Sequence, residues 1–226
     1  PVSQYDSDEM DSHTDGYVEF VLGLIEQAKQ TCADPKVLIE QRLDFSRFVP
    51  DGFGTGDCLV IADGTLHIVD FKYGQGILVE AEENPQMKLY ALGALELFDG
   101  IYDITSVSLN IYQPRRENIS THTVEKESLY RWADEVLRPL AELAFVGSGE
   151  YCCGEWCQFC RAAVKCRARA EEKLKLTRLE FSLPPILSDA EIEEILAKLD
   201  DLTAWANDIR AYALEAAANH GKQWSG

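Results

Sequence analysis

The chain is 226 residues long, 46% hydrophobic and 10% aromatic, with 21 Lys and Arg against 39 Asp and Glu, for a formal net charge of -18. That length and apolar content suffice for one sizeable core with a small appendage and exclude bulk disorder, while no apolar run approaches the roughly 20 residues of a membrane-spanning helix. So acidic a chain does not coat nucleic acid indiscriminately, because such binding rests on phosphate neutralisation by Lys and Arg, although a local basic channel remains compatible with it.

The first segment opens acidic, with Asp6, Asp8, Glu9, Asp11 and Asp15. Tyr17, Val18, Phe20, Val21, Leu24, Ile25 and Ala28 then recur at helical spacing, which predicts an amphipathic helix over residues 11–31. Since the chain starts at Pro1, this end reads either as a processed or truncated piece or as a solvated, frayed terminus. From Val37 the period changes, and VLIEQRLDFSRF (37–48), TGDCLVIADG (55–64) and TLHIVDFKYG (65–74) read as strands, with Asp63-Gly64 predicting a tight type I′ hairpin between the second and third. Asn84 and Pro85 open a helix over QMKLYALGALELF (86–98) that stops ahead of Gly100. A strand over 105–112, a turn over 114–118, a short strand over 119–124 and a helix over 126–145 follow.

This order predicts an α/β fold over residues 1–150, with a mixed sheet flanked by helices. Residues 151–183 form a Cys-rich segment with a basic helix over 161–176. Beyond Pro184 and Pro185, residues 184–226 form an amphipathic helix, with Ser188 and Glu191 as a capping box, which packs on the core or on a second copy in a homo-oligomer.

The chemistry concentrates at Asp57, Asp70 and Lys72. Residues two apart on a strand share a face, so Asp70 and Lys72 project together while Phe71 faces the other way, and a hairpin partner brings Asp57 alongside. Converging carboxylates are hard-oxygen ligands for Mg²⁺, and an adjacent ammonium holds a water; on an isolated strand the same spacing makes only a surface salt bridge. Neither Asp70 nor Lys72 is expected to pack in the core. Gln86 and Tyr90, four apart on the following helix, share a face that looks back over the same sheet end.

In this order, G-x-G-D, D-F-K at the end of the next strand and Q-x-x-x-Y on the next helix resemble the RecB-like branch of the PD-(D/E)xK nuclease superfamily. The stretch GTGDCLVIADGTLHIVDFKYGQG with QMKLYALGA behind it is similar to phage- and prophage-encoded exonuclease-like proteins, and the resemblance covers residues 40–169. It implies a restriction-endonuclease-like core in which Asp57, Asp70 and the backbone carbonyl of Phe71 hold Mg²⁺ or Mn²⁺. Lys72 then positions the nucleophilic water, and Gln86 and Tyr90 organise Lys72 and the DNA phosphate. Glu40, on the first strand, is a further acidic candidate for the metal.

Of seven cysteines, five lie between Cys152 and Cys166, a clustering that suits a metal in a reducing compartment better than a disulfide framework. Cys157, Cys160 and Cys166 are spaced to hold a soft metal and need a fourth donor. The run resembles the C-terminal part of the 4Fe–4S iron–sulfur staple of AddB and the CRISPR-adaptation nucleases, with zinc as the alternative; relatives draw the remaining Cys, and a metal-binding His in a G-T-x-x-H segment, from upstream. Neither is seen here, so Cys32, Cys152 or Cys153 stands as the substitute and His13 is given no role. Arg161, Lys165, Arg167, Arg169, Lys173, Lys175 and Arg178 make a basic face that either guides DNA or is simply solvated. The expectation is a metal-dependent deoxyribonuclease in the bacterial cytoplasm, acting on DNA in phage recombination or DNA processing. Its rivals are a non-catalytic DNA-binding or interaction subunit retaining the fold, and a zinc or iron–sulfur redox protein, which leaves the Asp70–Lys72 pair unexplained.

Overall fold

The computed structural model of the protein describes residues 7–174 and 189–225, and the chain divides into two units, Pro1–Gly149 and Glu150–Gly226. In the first unit, helix α1 (Asp8–Ala28) starts where the Ser7 side chain accepts the Met10 N–H. Strands β1 (Lys36–Asp44), β2 (Phe53–Ile61) and β3 (Gly64–Phe71) follow, then α2 (Pro85–Phe98), β4 (Ile104–Gln113) and β5 (Asn118–Glu125). They form one five-stranded mixed sheet in the order β1-β2-β3-β4-β5, antiparallel throughout except between β3 and β4. The parallel pair needs a crossover, and α2 supplies it, capped by Asn84 through the Met87 N–H and by Pro85 in its first turn.

Strand alternation sorts the core onto two faces. Leu59, Ile61, Leu66, Ile68, Leu109 and Ile111 pack with Met87, Ala91, Leu92 and Leu95 of α2, whereas Cys58, Val60 and Val69 pack with Leu24 and Ala28 of α1. Gly93 lets α2 press onto β1, since a Cβ there would lie 2.9 Å from Leu43 Cβ and 3.3 Å from the Asp44 carbonyl oxygen.

Several expected boundaries shift for local reasons. The first strand ends at Asp44 and not at Phe48, because Asp44 Oδ1 accepts the Ser46 N–H at 2.8 Å and turns the chain, placing Phe45 and Phe48 in the α2-side core. The β2–β3 turn is not type I′: Gly64 has a positive φ of 86° but Asp63 does not, and Asp63 instead accepts the Asp103 N–H at 2.9 Å, tying the turn to the start of β4. The helix expected over 126–145 is α3 (Lys126–Trp132) and α4 (Arg138–Phe145), joined by a π-helical turn over Ala133–Leu137. Pro139 has no amide to continue the ordinary ladder at that point.

In the second unit, short 3₁₀ turns at Glu155–Phe159 and Ala163–Lys165 precede α5 (Arg167–Lys173), so the basic helix begins later than expected. Cys166 is extended and blocks continuous helix across it. Its expected end at 176 and the Ser188 cap lie outside the described residues. The last helix, α6 (Asp189–His220), meets α5 through Arg169, whose guanidinium is 2.9 Å from Asp208, and through a Lys173–Asp201 ion pair. Among the described residues no helix is long and apolar enough to cross a membrane.

Candidate active site

Pairing between β2 and β3 runs outward only as far as Cys58 and Val69. The next residues on each strand are Asp57 and Asp70, and there a side chain replaces the ladder: Asp57 Oδ2 accepts the Phe71 N–H at 2.8 Å. On the other side β3 stays joined to β4, with the Lys72 N–H bonded to the Tyr112 carbonyl at 2.9 Å. The β1–β2 ladder is interrupted at the same level. Ile39 pairs with Cys58 and Gln41 with Gly56, but Glu40 between them sits at φ 52°, in the left-handed region, facing Asp57 across the strand gap. A non-glycine residue held there costs conformational energy, and such strain gathers at functional sites.

Asp70 follows Ile68 on the α2 side of the sheet, and α2 answers with Gln86. Its Nε2 donates to Asp70 Oδ1 at 3.2 Å and to Tyr90 Oη at 3.0 Å, while its Oε1 accepts from Lys72 Nζ at 3.0 Å. One amide therefore orients three side chains, which the helical spacing of Gln86 and Tyr90 permits. Gly54 makes room for this, since a Cβ there would lie 2.5 Å from the Tyr90 ring. Lys72 Nζ forms an ion pair with Asp70 Oδ2 at 2.9 Å, off the hydrogen-bonding direction, and among the described residues that buried oxygen accepts no hydrogen bond. Contrary to expectation, Asp70 belongs to the interior, at 3% exposure, because β4 and α2 close over its strand.

The field at this end is acidic. Burial pushes the Asp57 carboxyl above the ordinary carboxylate range, opposed by the Phe71 N–H, reinforced by Asp70 and Glu40 and relieved by Lys72. Burial and Asp57 together push the Cys58 thiol up to about 11. Tyr17 of α1, which sequence reasoning placed only in the apolar stripe of its helix, belongs here as well. Burial raises its hydroxyl pKa, as do Cys58, Asp57, Asp70 and Glu40, and its oxygen is buried without a hydrogen-bond partner among the described residues. No local motif marks it; the sole cue in the sequence is a polar tip on an apolar face. His13, one turn earlier, packs edge-on to Tyr73 at 5.7 Å. A cavity of about 600 Å³ is lined by apolar side chains of α1 and β1, among them Val21, Ile25 and Ile39, and by Tyr17, Glu40 and Asp57.

The donors at this end are oxygens and suit Mg²⁺ or Mn²⁺, with Asp70 Oδ2 unfilled and Asp57 keeping one oxygen clear of the Phe71 bond. Among the described residues no three His, Cys, Asp or Glu side chains form a ready-made metal cage. Two carboxylates are what Mg²⁺ ordinarily takes from a protein, the balance being water and substrate oxygen.

In the second unit burial first, and then Cys157, Cys166 and Glu172, raise the pKa of the Cys153 thiol. Cys160 is exposed, and none of these thiols is in a disulfide. The basic run is partly neutralised: Arg169 is buried against Asp208, Lys173 pairs with Asp201, and Lys165 lies 4.8 Å over the Tyr212 ring. Arg161 and Arg167 are exposed, whereas Lys175 and Arg178 lie outside the described residues.

Residues 2–226 match the family described as "Protein of unknown function (DUF2800)". The chain belongs to the DUF2800 family. Among solved structures it is similar to one described as "Crystal structure of SSO0001", at 16% identity over 70% of this chain and 71% of the other, with a TM-score of 0.34. That likeness is too distant for any chemistry to be read across.

Proposed function

We propose that this DUF2800 protein is a metal-dependent deoxyribonuclease with a PD-(D/E)xK core of the RecB-like branch, acting as a phage-type exonuclease in recombination or DNA processing. The observation that supports the reading is the joined set Asp70–Lys72–Gln86–Tyr90, with Asp57 at the same strand opening. A surface salt bridge would account for Asp70 and Lys72 alone. It would not account for a buried Asp70, for an amide that braces both and Tyr90, or for a strained Glu40 opposite Asp57.

Asp57, Asp70 and the Phe71 carbonyl, with Glu40 alongside, would hold Mg²⁺ or Mn²⁺. When bound, the cation would polarise the phosphate and make its water more acidic. Lys72 Nζ, fixed between Asp70 and Gln86, has a donor left to orient an attacking water or a phosphate oxygen. Tyr90 Oη, which accepts from Gln86, keeps its own hydrogen for a second oxygen. The proposal extends to DNA as substrate, to the bacterial cytoplasm as location, to a second copy or a phage recombination protein as partner, and to a structural soft metal, iron–sulfur or zinc, at the Cys153–Cys166 thiols.

The test is cleavage of end-labelled linear DNA and of covalently closed circles in Mg²⁺, Mn²⁺ or EDTA, with Lys72→Met alongside. Linear DNA should be degraded in either cation and not in EDTA, with the circle resistant, and the variant should be slower by at least about a hundredfold. Equal activity in variant and wild type would place the chemistry elsewhere. DNA affinity without cleavage would favour the non-catalytic DNA-binding subunit.

A further inference from the structure

We infer that Tyr17 is a further catalytic residue of this site, its hydroxyl donating a hydrogen bond to a non-bridging oxygen of the scissile phosphate. The inference rests on the nuclease reading. A buried hydroxyl without a partner is uncommon in a folded protein, because it gives up its bonds to water and receives nothing in return. Tyr17 lines the cavity that Glu40 and Asp57 also line, and its orphan hydroxyl is a donor left for something that binds there.

Its placement is fixed by packing. The Tyr17 ring lies 5.0 Å from the Phe71 ring at 59° and 5.6 Å from Tyr112 at 64°, so the hydroxyl is carried on an immobilised ring and little freedom is lost on binding. Because α1 and α2 cover opposite sheet faces, Tyr17 reaches the cavity it shares with Glu40 and Asp57 from the face opposite Gln86. A phosphate at the β2–β3 opening would therefore meet Lys72 and Tyr90 from one side and Tyr17 from the other.

The chemistry selects a phosphate oxygen over other occupants. Asp57, Asp70 and Glu40 are acceptors and repel an anion, so beyond a cation the site needs neutral or positive donors to hold one. From the α2 side Gln86 is committed to three partners, which leaves one hydrogen of Lys72 and that of Tyr90 as donors. On the α1 side, among the described residues lining the cavity, only Thr14 and Tyr17 carry neutral hydroxyls, and Thr14 is committed to the Met10 and Asp11 carbonyls within its own helix. A phenol stays protonated at neutral pH, so Tyr17 would act as a fixed donor, with no proton transferred.

Two variants separate the hydroxyl from the ring. Tyr17→Phe keeps the contacts with Phe71 and Tyr112, and Tyr17→Leu removes them. The inference expects Tyr17→Phe to hold or raise the thermal midpoint, to keep KM within about twofold and to lower kcat roughly ten- to hundredfold in Mn²⁺. A phosphorothioate at the scissile position should slow the wild type for one diastereomer and slow Tyr17→Phe less, which a merely structural role would not produce. If kcat of Tyr17→Phe stays within about twofold of wild type and only Tyr17→Leu is impaired, the residue is packing alone and the inference is overturned. Wild type inert in both Mg²⁺ and Mn²⁺ removes the nuclease reading itself, and the inference with it. The two failures are therefore told apart by the wild-type lane.

Discussion

Asp57→Asn should stabilise the metal-free protein while ending its response to Mg²⁺. The Asp57 carboxylate is half-buried, has Asp70 and Glu40 as like-charged neighbours, and is compensated only by the Phe71 N–H and by Lys72. A carboxyl whose folded pKa lies above its unfolded value binds its proton more tightly in the fold, so its contribution to stability is lost as pH rises from the ordinary value of 3.8 through the raised one. Asparagine carries no charge and can still accept the Phe71 N–H, so it escapes that loss. With water screening the exposed half of the group, the gain near neutral pH is on the order of 1 kcal/mol, about 2–4 °C in thermal midpoint for a chain of this size. Below the ordinary carboxylate pKa of 3.8 both proteins carry a neutral group and the difference should vanish. Mg²⁺ should raise the midpoint of the wild type and leave the variant unmoved, since a ligand stabilises only the state that binds it. Thermal unfolding followed across this pH range, with and without Mg²⁺, reads both effects. A variant less stable than wild type near neutral pH, or one with an undiminished Mg²⁺ shift, would refute the view of Asp57 as a strained ligand.

Two further changes probe the packing of α2 and the thiols of the second unit. Gly93→Ala would gain about 1 kcal/mol of helix propensity, but its methyl meets Leu43 Cβ at 2.9 Å and the Asp44 backbone at 3.3 Å, and overpacking of about 1–3 kcal/mol should win. Urea denaturation should show a net loss of up to roughly 2 kcal/mol, and an unchanged or higher midpoint would mean that α2 can move off β1 freely. Protein purified anaerobically should carry near-stoichiometric iron with sulfide, or zinc, and Cys157→Ser should lose it; metal-free wild type by elemental analysis rejects the soft-metal proposal.

Two periodicities make the constellation legible in the sequence. Alternation along a strand set Asp70 and Lys72 on one side with Phe71 on the other, and the helical repeat set Gln86 beside Tyr90. Caps are equally local: Asn84 and Pro85 start α2 where the sequence says they should. Element order alone gave the mixed sheet, since the helix between β3 and β4 has the length a parallel crossover requires. What stayed hidden depends on groups distant along the chain. Asp57 acts as the stop of the β2–β3 ladder only once Phe71 arrives to offer its N–H, and Asp63 leaves its expected turn because Asp103 competes for its carboxylate. Arg169 reads as a free basic residue until Asp208 buries it in an ion pair. Tyr17 reads as one more apolar-face residue until α1 lies across β3 and leaves its hydroxyl without a partner among the described residues, on a cavity that Glu40 and Asp57 also line. Local periodicity decides which way a side chain points, because backbone geometry repeats within a few residues. Which donor meets which acceptor, and which polar atom is left unfilled, is decided by close packing between segments far apart in the chain, and only the folded structure holds that information.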